Sequence, residues 1–78
     1  MREVINGTEY DTEKETILFG YREMMVVKWY YKASDGNYLM HTIVGLTERI
    51  FLIAEEKVKE EARLTLSTDQ YMNLFGIP

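Results

Sequence analysis

Apolar and aromatic residues broken by single polar ones are densest between Val26 and Val44, in two arms either side of a polar turn, VVKWYYKASDGNYLMHTIV. The Val, Ile, Thr, Tyr and Trp of its two arms suit a pleated, half-buried surface, and Ser34-Asp35-Gly36-Asn37 supplies the positive-φ positions of a tight turn. The stretch therefore predicts a β-hairpin around which the rest of the chain is organised. Period-two spacing puts Val27, Trp29 and Tyr31 on one face of the first arm and Val26, Lys28, Tyr30 and Lys32 on the other. The lysine-bearing face is expected to meet water. On the second arm Tyr38, Met40, Thr42 and Val44 share one side and Leu39, His41 and Ile43 the other, so neither side is purely polar. A sheet apolar on both faces calls for a helix on one and a partner, or a second copy, on the other.

The flanking patterns predict shorter elements. Arg2–Asn6 reads as a strand closed by the Asn6-Gly7 turn, with Thr8–Tyr10 pairing back on it. Thr12 and Glu15 have capping-box spacing, which predicts a short helix from Thr12 to Phe19 broken at Gly20, although Thr16–Phe19 also reads as the start of a strand. Tyr21–Met25 leads into the hairpin. Beyond it, Gly45–Glu48 is a connection and Arg49–Leu52 a further strand. From Ala54 the residues favour helix, with Ala54, Val58, Ala62 and Leu66 forming a narrow apolar stripe and Glu56, Glu60, Lys57 and Glu61 the wet face. Ser67 and Gln70 cap a last short helix that presents Tyr71, Leu74 and Phe75 to the core and ends at Gly76, with Pro78 beyond. The expected fold is a single α+β domain over residues 1–78, a small antiparallel sheet of three to five strands centred on the 26–44 hairpin. The Ala54–Leu66 helix and the C-terminal helix cover one of its faces.

Composition narrows the function classes. A chain of 78 residues hides only about 60–65% of its unfolded surface, so homodimerisation would add burial that the fold lacks. The absence of cysteine excludes disulfides and Cys-ligated zinc and fits a reducing cytoplasm. The N-terminus is polar and acidic where a signal peptide would be apolar, and no apolar run is long enough for a membrane span, so a cytoplasmic, membrane-free location is expected. The net charge of −4 divides as −3 over residues 1–20, +1 over 21–44 and −2 over 45–78. An acidic chain lacks the Lys and Arg that displace counterions from phosphates, which disfavours nucleic acid as a partner.

Candidate chemistry is sparse. His41 is the only histidine, and general-base work needs an orienting partner that spacing alone does not supply. No metal-ligand spacing and no glycine-rich phosphate loop is present, so no catalytic residue, metal or cofactor is expected. Asp11, Glu13, Glu15, Glu55, Glu56, Glu60 and Glu61 form either a solvated face compensated by Lys57, Lys59 and Arg63 or an imitation of a phosphate backbone. Lys28, Tyr30 and Lys32 could bind nucleic acid by stacking on bases and touching phosphates. Met24, Met25, Tyr30, Tyr38 and Met40 read as a contact surface for a protein partner, since aromatic residues and Met are enriched at interfaces.

Three segments, VINGTEYDTEKE, WYYKASDGNYLMH and FLIAEEKVKEEARLTLSTDQYMNLFG, together resemble a group of small proteins from Gram-positive bacteria and their phages and mobile elements. Members share an N-G…Y-D-T opening, a Tyr-rich hairpin and a Tyr-x-x-Leu/Ile-Phe-Gly end. This chain is shorter than the group between Glu13 and Glu23. The resemblance implies an accessory protein that acts on a host defence system. The function expected is a non-enzymatic protein-interaction module that occludes a host protein, such as a defence nuclease, in the manner of an anti-CRISPR. The alternative is a nucleic-acid-binding accessory protein using the Lys28–Lys32 arm.

Overall fold

The computed structural model describes residues 1–76, and Pro78 lies outside them. Six strands precede two helices: β1 (Arg2–Ile5), β2 (Thr8–Asp11), β3 (Thr16–Glu23), β4 (Val26–Lys32), β5 (Tyr38–Val44), β6 (Thr47–Ile53), α1 (Glu55–Thr65) and α2 (Thr68–Phe75). β3 to β6 form one antiparallel sheet in chain order, while β1 and β2 form a separate two-stranded ribbon. The fold is α+β, with the 26–44 hairpin supplying the two central strands.

Both faces of the central strands are apolar, and each is covered differently. On one, Phe19, Tyr30 and Tyr38 pack against Val58 and Ala62 of α1 and Tyr71 of α2. On the other, Tyr31, Leu39 and Ile50 pack with Ala33 and with Tyr10 of the ribbon, joined by Ile5 and Met1. The sheet is thus the middle of three layers. Leu39 and Val58 are fully enclosed, each worth about 1.5–3 kcal/mol of burial.

Polar contacts fix the layers in register. Tyr21 Oη donates to Glu61 Oε2 at 3.0 Å and Tyr38 Oη to Glu55 Oε1 at 3.4 Å, so two of the α1 carboxylates serve to seat the helix on the sheet. Burial first, then the neighbouring Tyr30 hydroxyl and the Glu61 carboxylate, push the Tyr21 hydroxyl well above the ordinary tyrosine range, which keeps it a donor. Across the ribbon, Glu3 Oε2 accepts the Ile50 N–H of edge strand β6 at 2.9 Å, and Glu3 Oε1 lies 3.6 Å from Arg49 Nε. Tyr10 Oη donates to Asp35 Oδ2 at 2.7 Å and accepts from Asn37 Nδ2 at 3.1 Å, tying β2 to the hairpin turn.

The Asn6-Gly7 turn, the hairpin, both helices and the reciprocal Ser67–Gln70 cap form as the sequence predicts. Elsewhere the structure departs from the sequence expectation. No helix spans Thr12–Phe19, because Thr16–Glu23 is the edge strand β3, paired with β4 from Thr16 opposite Lys32 to Glu23 opposite Val26. The Thr12 hydroxyl, expected to cap a helix, donates instead to the Met1 carbonyl at 3.3 Å. β-branched Thr16 and Ile17 take a pleated partner, and the strand absorbs one irregularity between Ile17 and Phe19 as a bulge. The lysine-bearing face of β4 does not face water: Tyr30 is 1% exposed beneath the helices. Lys28 and Lys32 lie along the rim of that face with Nζ 5.9 Å and 5.1 Å from the Tyr21 and Tyr38 ring centroids, so their stems cover aromatic surface while the ammoniums stay hydrated. Leu74 is exposed, leaving Tyr71 and Phe75 as the α2 residues that pack inward.

Gly20 stands opposite Trp29, whose ring lies across it; a Cβ at position 20 would sit 2.1 Å from an indole carbon. Gly20→Ala is therefore expected to destabilise the fold by about 2–3 kcal/mol, read as a lower urea midpoint at unchanged m, whereas a shift under about 0.5 kcal/mol would refute this contact. The Tyr10 hydroxyl, and then the Asn37 backbone N–H, hold the Asp35 carboxyl below its ordinary 3.8. Since folding lowers its proton affinity, this tie contributes stability above the unfolded value and loses it as pH falls through the folded one. Tyr10→Phe is expected to raise the Asp35 midpoint toward 3.8 in a carboxyl-carbon NMR titration.

Candidate functional site

The sheet topology gathers two tight turns at one end. Glu23 stands opposite Val26 and Val44 opposite Thr47, so each turn has two residues, Met24-Met25 and Gly45-Leu46. Because Val26 is also opposite Val44, the turns lie side by side. Both hold their first residue at positive φ, 55° at Met24 and 60° at Gly45. Glycine is at home there, but a methionine is not, and the conformation costs about 1–2 kcal/mol at Met24.

That local cost holds apolar side chains in water. Met24 is 89% and Met25 77% exposed, Leu46 is fully exposed and Val44 about half. The register adds a row behind them on the ribbon-side face: Arg22 opposite Val27, Val27 opposite Ile43, Ile43 opposite Glu48. Val27 and Ile43 lie outside the cluster that the ribbon covers. A hollow of about 220 Å³ opens here, lined by Arg22, Met24, Met25, Val27, Ile43 and Gly45. Arg22 is exposed and makes no ion pair among the described residues.

The five residues expected to form a protein-contact surface are divided by the fold. Met24 and Met25 occupy this tip. Tyr30 stacks on Phe19 with centroids 4.7 Å apart, Tyr38 is buried beside α1, and half-buried Met40 packs on the same cluster, so these three belong to the helix-side core and not to a contact surface. Burial equally removes Tyr30 from the nucleic-acid arm of Lys28, Tyr30 and Lys32, because neither face of its ring is open to a base. Leu46, Val44, Val27, Ile43 and Arg22 complete the tip and were not legible as site residues. Val27, Ile43 and Val44 meet through the register of β4 with β5, Arg22 and the Met24-Met25 turn join them through the pairing of β3 with β4, and the one local signal was an apolar Leu46 directly after Gly45 in a turn.

His41 is buried, with Nε2 2.9 Å from Glu48 Oε1. The carboxylate favours the tautomer with the proton on Nε2; Nδ1 is enclosed and has no hydrogen-bond partner among the described residues. The pair acts as a polar clasp between β5 and β6. A second hollow of about 280 Å³ near the hairpin turn is rimmed by Glu9, Asp11, Glu15 and Asp35 together with Lys14. The α1 carboxylates are largely engaged: besides the tyrosine contacts, Lys57 lies 3.8 Å and 3.7 Å from Glu60 and Glu61, and Lys59 3.4 Å from Glu55. Among the described residues no group of three or more His, Asp or Glu is arranged to hold a metal ion, and no helix is long and apolar enough to cross a membrane.

Comparison with protein-family models, with curated proteins and with solved structures finds no match to this chain.

Met24→Gly is expected to stabilise the isolated domain by about 1 kcal/mol, seen as a higher thermal midpoint, because glycine carries no Cβ penalty at this φ. A lower midpoint would show that Met24 packs favourably enough in the free protein to offset its backbone.

Proposed function

We propose that this protein is a non-enzymatic protein-interaction module that acts by occlusion, with the Met24-Met25 and Gly45-Leu46 tip as its contact surface. One observation carries the reading: four exposed apolar residues gathered at one end of the sheet, one of them held there against its backbone preference. Thioether side chains adapt to irregular surfaces, and an apolar centre with a polar rim is the usual make-up of a protein interface. The resemblance of the sequence to accessory proteins of phages and mobile elements supports a host protein as the partner, and a defence nuclease as its class. Occlusion requires no chemistry of the module itself, consistent with an enclosed His41 and with α1 carboxylates Glu55 and Glu61 engaged by tyrosine and lysine partners.

Retention of host-lysate proteins on immobilised wild-type chain, Met25→Glu and Leu46→Glu provides the test. Both side chains are exposed, so both variants are expected to keep the wild-type circular dichroism while losing the proteins that the wild type retains. Retention of nothing by the wild type, or of the same proteins by the variants, would overturn the reading.

A further inference from the structure

We infer that the free chain closes its tip with a second copy of itself, end to end, about a two-fold axis running along the sheet normal. The inference rests on the tip being a contact surface and names what occupies it when no other partner is present.

The self-complementarity is written in the register. Across the strands, the row at this end runs Arg22, Val27, Ile43, Glu48, that is, cation, apolar, apolar, anion. A two-fold interface sets one patch against itself, so it is stable only if the patch complements its own image. Rotation by 180° about the sheet normal exchanges the two sides of the row. Arg22 of one copy then meets Glu48 of the other, and the Met24-Met25 turn meets the partner's Gly45-Leu46 turn. An axis along the row would instead bring like charges together. Arg22 has no ion pair among the described residues, and Glu48, although it contacts His41 through Oε1, keeps a half-exposed side chain. Projecting side chains and the hollow that could receive one sit side by side, so each copy carries both halves of the fit.

The area is also of the right size. Met24, Met25, Val44 and Leu46 expose on the order of 500 Å², at the upper end of what a monomer ordinarily leaves in one apolar patch. With Arg22 and Glu48 added, the tip approaches the roughly 600–800 Å² that each partner contributes to a standard interface. The ribbon packs on Tyr31, Ala33, Leu39 and Ile50, and Val27 and Ile43 lie outside that cluster. Self-docking and capture of a different protein use the same residues and therefore exclude each other.

Sedimentation equilibrium of the full chain at about 100 μM and physiological salt tests this directly. The expected mass is twice the 9.2 kDa of the chain, falling to the single-chain value for Leu46→Glu. Arg22→Glu alone and Glu48→Arg alone each place like charges at both symmetry-related contacts and are expected to weaken the dimer about tenfold or more. An equimolar mixture of the two pairs opposite charges at both contacts and is expected to restore a dimer, an outcome that a folding defect cannot produce. If Glu48→Arg fails to fold, Leu46→Glu and Arg22→Glu still decide. A wild type that remains monomeric overturns the inference without touching the tip's role toward other proteins, which the lysate experiment judges separately. A dimer that survives Leu46→Glu and Arg22→Glu overturns it by assigning self-association to another surface.

Discussion

A four-stranded sheet whose central strands are apolar on both faces has to be roofed twice, and in so short a chain this requirement dictates almost everything else. The helices after β6 form one roof and the ribbon before β3 forms the other. The chain order of the sheet makes this feasible, since it leaves one terminal segment for each face. Aromatic residues carry most of the load: Tyr30 and Phe19 under the helices, and Tyr31 of the sheet against Tyr10 of the ribbon. Their bulk lets a thin three-layer domain bury a large area with few residues.

Tyrosine serves this arrangement better than phenylalanine because the ring can lie in the core while its hydroxyl reaches the rim. Tyr21 and Tyr38 use theirs to hold the carboxylates of α1, and Tyr10 uses its own to hold the hairpin turn. The acidity of the chain thus has an internal use, because several carboxylates are acceptors for buried rings. What the two roofs leave uncovered is the end of the sheet furthest from the ribbon's core, and the tip residues are found there.

Much of this was legible in the sequence wherever signals were local. Asn6-Gly7, the 26–44 hairpin, the Ser67–Gln70 cap and the α1 stripe each depend on spacing within a few residues. The failures share a different cause. Thr12 and Glu15 imitate a helix start, yet Thr16 to Glu23 becomes a strand because β4 offers an open edge to pair with, a contact that no window of the sequence contains. Lys28 and Lys32 make the Tyr30 face of β4 look polar in sequence, whereas their long stems lie over the Tyr21 and Tyr38 rings and leave Tyr30 at the centre of the core. The tip followed only in part: Met24 and Met25 stood out by type, but Leu46, Val27 and Ile43 join them through the register of four strands.

The chain order of the sheet has a kinetic side as well. Every pairing joins strands adjacent in sequence across connections of two to five residues, so each closes a small loop and carries little of the entropic penalty that slows most β proteins. Zippering can run from either end of the meander. The only events that join distant parts of the chain are the docking of the ribbon and of the helices, and either can follow a sheet that is already paired. A chain built this way can complete its native pairing before its faces are covered, and in that case the speed with which the two roofs close sets how long those faces meet water.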